Sequence, residues 1–247
     1  MVVCGVLATA GPAQAGTEII AETGDGAPDG NGTFSSFTST SIVLNDAGQV
    51  AFHGLLSGTS GGAADNKGLF RSGGGSVAQI VRKGAAAPDG NGTFDTIGLP
   101  ALNDSGQVAF GAGFSGTALG LWDDGGIVIG AGGAVVQIAR EGEAPPDGNG
   151  VFSWSAFSPL PNLNDLGQVA LVTTLTGTSG GGADDRAIYL GSAAGLVKVV
   201  REGDAAHDGD GVIGSFSGDA SVNNLGQVAF KAFYSGNSGG AADDGVI

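Results

Sequence analysis

The residues with the clearest chemical potential are aspartates and asparagines that recur in glycine-rich stretches of the chain. Carboxylate and amide oxygens are the ligands of Ca²⁺, which takes about six to eight of them. If the strands that flank these stretches run antiparallel, the side chains gather on one face of the protein. We therefore predict a cation-binding face, with Ca²⁺ as the candidate ion, formed by Asp29, Asn31, Asp65, Asn66, Asp89, Asn91, Asp123, Asp124, Asp147, Asn149, Asp184, Asp185, Asp208, Asp210, Asp243 and Asp244.

The same residues also fit a simpler interpretation. Asp and Asn are favoured in tight turns because their side chains bond the nearby backbone, and Asn-Gly pairs such as Asn31-Gly32 suit the positive φ of such turns. The spacing from Asp29 resembles the start of a calcium loop, but the bidentate Glu that ends an EF-hand loop is absent. The sequence leaves the turn and calcium interpretations both open.

Groups suited to catalysis are sparse. The two histidines, His53 and His207, lie at non-equivalent positions, so they form no His-based metal site or nucleophile triad. We predict His53 to be a partly buried strand residue and His207 a solvated loop residue. A carboxylate pair for glycoside chemistry has no identifiable position, because every acid also suits a turn. Trp122, in a loop, is a candidate sugar-stacking platform.

Three arginines recur at the end of a predicted strand, one in each of three successive units. We predict that they form ion pairs with acidic loops between neighbouring blades, in preference to clamping a ligand. They are Arg82, Arg140 and Arg201.

Composition limits the partners of this chain. Its 247 residues include 24 Asp and Glu against 9 Lys and Arg, for a net charge of -15. Nucleic acids and anionic membranes are held by clustered Lys and Arg, so the charge predicts that neither is a partner. No apolar run reaches the roughly 20 residues of a transmembrane helix. The predicted ligand is therefore a cell-surface glycan or a protein.

Internal repeats organise the chain. The block LNDAGQVAF, which begins at Leu44, returns at Leu102, Leu163 and Val222 with offsets of 58, 61 and 59 residues, and the block PDGNGTF accompanies it, weakened in the last copy. A fixed period of this length indicates repeat architecture. The units span about residues 17–75, 76–133, 134–194 and 195–247 and form one domain over residues 16–247.

Each unit is predicted to contain four short strands, because its apolar runs are short, rich in Val, Ile and Phe, and bounded by Gly, Asn and Asp. In the first unit they cover residues 18–21, 41–44, 49–56 and 68–71. Repeated four-stranded sheets favour an all-β, β-propeller-like array of four repeats, the last of them incomplete. The fourth unit stops as its last strand begins. Either four blades close with a final strand missing, or the chain is a segment of a longer array, and we expect the second.

The N-terminus indicates export. Residues 1–15 are apolar and end in Ala13-Gln14-Ala15, which fits the small-residue rule for signal-peptide cleavage. A complete signal peptide begins with basic residues, and none precedes this apolar run. We therefore predict the remnant of a signal peptide that is truncated upstream. Cleavage after Ala15 would leave a chain without cysteine, consistent with an exported protein stabilised without disulfides.

The pattern Asn-x-x-Gly-Gln-Val-Ala-Phe, at Asn45, Asn103 and Asn223 with a variant at Asn164, resembles that of bacterial exported proteins with tandem NxxGxxAF repeats. Many of those proteins carry a C-terminal surface-sorting tail of the PEP-CTERM or a related type. The resemblance implies a secreted or surface-anchored, propeller-like protein and transfers no catalytic residues. This chain shows no such tail.

Together these features predict a non-enzymatic repeat protein of the cell surface, structural, adhesive or ligand-binding, with Ca²⁺ as a candidate ligand. The alternative is a carbohydrate-binding or carbohydrate-active propeller that uses loop carboxylates and Trp122.

Overall fold

The computed structural model describes residues 3–8, 17–153, 161–239 and 245–246. They form antiparallel β-sheets joined by turns, as an all-β chain should, and none of the sheets is closed within these residues. No helix in the described part of the chain has the length and apolar character needed to cross a membrane.

An N-terminal hairpin precedes four successive sheets. It consists of β1 (Val3–Ala8) and β2 (Thr17–Glu22). Sheet 1 has the order β3-β5-β6-β7, with β4 also paired to β5, and comprises β3 (Thr33–Phe37), β4 (Val43–Leu44), β5 (Val50–Ser57), β6 (Lys67–Gly73) and β7 (Ser76–Arg82).

Sheets 2 and 3 repeat this arrangement. Sheet 2 comprises β8 (Thr93–Ile97), β9 (Ala101–Leu102), β10 (Val108–Ser115), β11 (Gly125–Gly130) and β12 (Val136–Arg140). Sheet 3 comprises β13 (Val151–Ser153), β14 (Asn162–Leu163), β15 (Val169–Thr176), β16 (Arg186–Ser192) and β17 (Gly195–Arg201). Sheet 4 comprises β18 (Val212–Val222), β19 (Val228–Ser235) and β20 (Gly245–Val246).

The strand boundaries correct the sequence prediction in three places. A strand over Thr33–Phe37 was missed, because it follows directly on the turn-like block PDGNG. The predicted strand at residues 41–44 is reduced to Val43–Leu44, after a 3-10 turn at Ser39–Ser41. Each of sheets 1 to 3 also takes its last strand from the start of the following sequence unit.

The last glycine of the PDGNG turn, Gly92 in the second repeat, cannot be replaced by a larger residue. Gly92 has φ of +92°, and a Cβ at this position would come within 2.6 Å of the Ser115 carbonyl oxygen. Both the left-handed backbone and this close approach exclude larger residues. The abundant glycine of the chain therefore serves ordered turns of this kind.

Hydrophobic cores lie between consecutive sheets. Leu69 and Ile80 of sheet 1 pack in one cluster with Phe94 and Phe110 of sheet 2, and all four are buried. Each such side chain contributes about 1.5–3 kcal/mol of burial free energy. The first sheet packs its Phe34 and Phe70 rings, 4.9 Å apart, with Ala21 of the N-terminal hairpin.

The most strongly repeated motif, Asn-Asp-x-Gly-Gln, joins each sheet to the next. Within sheet 1 the Asn45 side chain closes its own turn, accepting from the backbone N–H of Gln49 at 2.7 Å. The Asn45 amide also donates to the Asn103 carbonyl of sheet 2 at 2.7 Å. Equivalent bonds run from Asn103 to Asn164 and from Asn164 to Asn223, each at 2.8 Å. We call this series the asparagine ladder.

Candidate functional site

The acidic loops of each repeat lie at one end of their sheet. In sheet 1 the start of β3 pairs with the end of β5, Thr33 opposite Ser57, while Arg82 at the end of β7 lies opposite Gly68 near the start of β6. The loop before β3 and the loop between β5 and β6 therefore meet, and β7 ends beside them. This geometry follows from the antiparallel strand order.

An arginine lies at the centre of this meeting point. The Arg82 Nη1 donates to the Asp29 carboxylate at 2.6 Å, Nη2 to the Asn31 carbonyl at 2.7 Å, and Nε to the Asp65 carbonyl at 2.6 Å. The side chain is buried, with three charge-assisted bonds that fix both loops against the end of β7. We call Arg82, Asp29, Asn31 and Asp65 together the arginine cluster of sheet 1.

The asparagine of the cluster connects the two loops directly. Asn31 Nδ2 donates to Asp65 Oδ2 at 2.9 Å, and Asn31 Oδ1 accepts from the backbone N–H of Ser60 at 2.8 Å. The Thr59 hydroxyl donates to the other Asp65 oxygen at 2.5 Å. Every polar side-chain atom of Asn31 and Asp65 thus has a hydrogen-bond partner within the two loops.

These bonds set the ionisation of the carboxyl groups. The Thr59 hydroxyl, helped by the Asn31 amide, holds the pKa of Asp65 below its ordinary value. Burial raises the pKa of Asp29, but the backbone N–H of Asn31 and the Arg82 guanidinium outweigh it, so the net shift is downward. Both carboxylates are ionised at neutral pH and act as acceptors, which does not suit a general acid.

The cluster recurs in sheets 2 and 3 with the same atoms. Arg140 is only 1% exposed, contacts the Asp89 carboxylate and two loop carbonyls, and lies 4.4 Å from the centre of the Phe114 ring. The equivalent sets are Arg140, Asp89, Asn91 and Asp123, and Arg201, Asp147, Asn149 and Asp184. The predicted arginine ion pairs therefore exist, but each lies within one sheet and not between neighbouring sheets.

The remaining predicted cation ligands have other roles. The second residue of each acidic pair accepts a strand N–H through its backbone carbonyl, as Asp124 does from Phe114 at 2.7 Å and Asp185 from Leu175 at 2.6 Å. The corresponding carbonyl of Asn66 accepts from Leu56. In sheet 4 Asp210 replaces the asparagine.

In this fourth loop the Asp210 carboxylate accepts from the Ser238 backbone at 2.9 Å, and Asp208 accepts from the Asp210 N–H at 3.0 Å. Asp243 and Asp244 lie outside the described residues. Among the residues that are described, no three His, Cys, Asp or Glu side chains are grouped so as to hold a metal ion. Calcium binding stays a prediction from the sequence, and the structure gives the carboxylates of the arginine clusters internal partners.

One loop carries an exposed apolar patch. Trp122 is 76% exposed at the end of the 3-10 turn Gly120–Trp122, and its neighbours Leu121 and Leu119 are 82% and 64% exposed. In sheets 1 and 3 the corresponding turns, Gly62–Ala64 and Gly181–Ala183, contain only Gly and Ala. The patch is therefore a property of the sheet 2 loop and is not needed to form the turn.

A family model described as a family of unknown function, DUF7453, matches residues 15–247. The chain belongs to this family. The match covers all four repeats, so membership in DUF7453 applies to the whole repeat region described above. A search of curated proteins returned no match.

The histidines are separated, as their positions in the sequence indicate. His53 lies partly buried on β5, and His207 is exposed in the loop before β18. Sequence reasoning missed Lys67 and Asp95, which line a cavity with His53. The signal that could have found them is variation within the repeat pattern, because the position of Lys67 is Gly125 in sheet 2 and Arg186 in sheet 3.

Proposed function

We propose that this protein is a non-enzymatic, exported repeat protein with a structural or adhesive role at the bacterial cell surface. The observation that carries the proposal is the use of the repeated polar residues. In sheets 1 to 3 the Arg, Asn and Asp of each arginine cluster bond one another or loop backbone, and the asparagine ladder joins the sheets. Residues repeated for such contacts build a scaffold.

A propeller-like arrangement of the sheets is part of the proposal. Its support is that successive sheets contact one another through equivalent residues, with a core between each neighbouring pair. Such radial repetition buries both faces of each inner sheet. The resemblance to exported proteins with NxxGxxAF repeats supports the same arrangement and a surface location.

Export is supported by the apolar N-terminus with its Ala13-Gln14-Ala15 site, which lies outside the described residues. Cleavage after Ala15 would remove β1, which pairs only with β2 among the described strands. The test is N-terminal sequencing of the protein recovered from bacteria that express the full chain, together with protease treatment of intact cells. A mature N-terminus at Gly16 and accessibility to protease are expected. An unprocessed chain inaccessible to protease would contradict export.

The adhesive role needs its own experiment. Cells with and without the gene are compared for attachment to a solid surface and to one another, with complementation by the wild-type chain. We expect reduced attachment that complementation restores. Unchanged attachment, or turnover of a substrate by the purified protein in a hydrolase panel, would contradict the structural role.

A carbohydrate-binding function is the second candidate, and the exposed Trp122 patch favours it. An aromatic face open to solvent can stack on the apolar face of a sugar ring, as in other binding sites where Trp provides large contact area. A glycan array tests it with the wild type, Trp122→Ala and the control Leu225→Ala, another exposed apolar residue. Saturable binding lost only in Trp122→Ala supports this function, and blank arrays contradict it.

A further inference from the structure

A cavity of about 290 Å³ lies between sheets 1 and 2. One wall is formed by β5 and β6 with His53, Leu55 and Lys67, and the other by Asp95, Thr96 and Leu99 of the second repeat. The lining combines one imidazole, one ammonium, one carboxylate and hydroxyl groups with leucine side chains. A few polar groups among apolar walls are typical of small-molecule sites, and the volume is near the lower limit for them.

The repeat fold does not need the polar residues of this cavity. Strand pairing aligns His53 with Gly111 in sheet 2 and Val172 in sheet 3, since these face Leu69, Ile127 and Ile188 respectively. The same alignment places Lys67 at the position of Gly125 and Arg186. These two positions thus tolerate widely different residues in sheets of the same architecture.

The interface between sheets 3 and 4 uses the same position differently. There Arg186, the counterpart of Lys67, donates through Nη1 to the Phe216 carbonyl of sheet 4 at 3.0 Å. With Val172 in place of His53, that interface contains a guanidinium bonded across it. Between sheets 1 and 2 a cavity opens beside the exposed Lys67.

His53 presents an unpartnered buried nitrogen at this cavity. Burial, together with the Lys67 charge, lowers the pKa of His53, so its imidazole is neutral at pH 7. Nε2 is shielded from solvent and has no hydrogen-bond partner among the described residues. Such an unsatisfied buried polar atom costs about 1–3 kcal/mol, which a ligand hydroxyl, able either to donate or to accept, would recover.

The other polar groups define what that ligand presents. Lys67 supplies donors, and the Asp95 carboxylate, paired with Lys83 at 3.1 Å, supplies acceptors. An anion would be repelled by the Asp95 carboxylate and by a chain of net charge -15. A cation would be repelled by the Lys67 ammonium group. A neutral molecule with several hydroxyl groups and an apolar ring face matches both the polar groups and the leucines.

We propose that this cavity binds a single neutral pyranose ring, with one sugar hydroxyl hydrogen-bonded to His53 Nε2 and others bonded to Lys67 and Asp95. The site is separate from the Trp122 patch, which lies in the loop between β10 and β11. The proposal does not depend on the structural or adhesive role, nor on the glycan-stacking function of Trp122.

The test uses methyl pyranosides of glucose, galactose, mannose and N-acetylglucosamine as probes of the full chain, with acetate and phosphate as anionic probes. Saturation-transfer NMR and calorimetric titration report binding. We expect saturable millimolar binding of at least one pyranoside and none of the anions. His53→Val and Lys67→Arg, which introduce the residues of sheet 3, should weaken it at least tenfold. Trp122→Ala should leave it unchanged.

Folding and binding are kept apart by the choice of variants. Both introduced residue types already occur at the equivalent positions of sheet 3, as Val172 and Arg186, and the melting temperature and circular dichroism of each variant are measured first. Absence of binding for every pyranoside, equal binding by His53→Val, or preferential binding of phosphate would each overturn the proposal. Loss of binding in Trp122→Ala with retention in His53→Val would assign the sugar to the loop patch instead.

Discussion

Arg140 Nη1 lies 2.7 Å from Asp89 Oδ1, although 51 residues separate the two in sequence. The same guanidinium bonds the carbonyls of Asn91 and Asp123, so one buried side chain holds two loops and the end of a strand. The relationship explains why this arginine recurs in each complete sheet.

Replacing Arg140 by Met should lower the free energy of unfolding by about 3 kcal/mol, because a buried charge pair and two loop acceptors lose their partner. Urea denaturation followed by circular dichroism measures the change. The control is Lys83→Met, which breaks the partly exposed pair with Asp95 and should change stability by less than about 1 kcal/mol. Equal effects of the two replacements would contradict a central role for Arg140.

The asparagine ladder predicts that the loss of stability on Asn→Asp replacement depends strongly on which asparagine is replaced. Asn103→Asp replaces an amide that donates to Asn164 and Gln107 with a carboxylate that faces both oxygens. We expect a loss of about 3 kcal/mol, since two bonds are lost and acceptors oppose one another in a buried site. Asn223→Asp is the matched control.

Asn223 is exposed and its amide donates only to Gln227 among the described residues. Its replacement should therefore cost less than about 1 kcal/mol, measured by the same urea titration. If the two substitutions destabilise equally, the bond between sheets is not what makes the motif important.

A buried hydroxyl in sheet 3 offers a stabilising substitution. Tyr189 is fully buried, its hydroxyl has no hydrogen-bond partner among the residues that the structure describes, and burial raises the pKa of this hydroxyl to about 12. Phe70 occupies the equivalent position in sheet 1. Tyr189→Phe should therefore increase stability by about 1 kcal/mol, seen as a higher melting temperature. Phe70→Tyr is the reverse control and should destabilise.

His53 gives stability a pH dependence of known sign. Its folded pKa lies below the unfolded value near 6.5, so the unfolded chain binds the proton more readily. Stability is therefore full above pH 6.5 and is lost as the pH falls toward the folded pKa. The charged groups facing His53 are Lys67 on β6 and Asp95 on β8, with Lys83 paired to Asp95.

The difference in melting temperature between wild type and His53→Val isolates this contribution, because all carboxyl groups are common to both chains. The difference should change between pH 7 and 5 in favour of the variant. A constant difference across that range would mean that the imidazole is not held neutral by the fold.

Chelation tests whether the acidic loops need a metal. Because the guanidinium of Arg82 and its counterparts supplies the positive charge in three clusters, EDTA should leave the melting temperature unchanged. Added Ca²⁺ should likewise have no effect and no heat of binding. A rise in melting temperature with Ca²⁺, absent with Mg²⁺, would support the calcium interpretation of these loops.

The sequence predicts the repeats and the all-β class because the motifs recur at a nearly fixed period. The predicted strand at residues 49–56 agrees closely with β5, where alternating apolar residues face the core. The β3 strand was missed because its five residues follow a run of turn formers and lack a clear alternation. Local pattern could not reveal that its partner is β5.

The candidate site was less accessible to sequence reasoning. Asp and Asn residues at turn positions identify the loops. They do not reveal that the Arg82 guanidinium supplies the positive charge between the loops, where a metal ion was predicted. The cavity depends on His53 and Asp95, which belong to different sheets and meet only through packing between them. No spacing within one repeat encodes that meeting.

The asparagine ladder has a consequence for how such chains change length. Each bond runs from the same side-chain atom of one sheet to the same backbone atom of the next, over 58, 61 or 59 residues. A genetic duplication or loss of one whole repeat would therefore create a junction whose donors and acceptors already match. Recombination between repeats can lengthen or shorten the protein without devising a new interface.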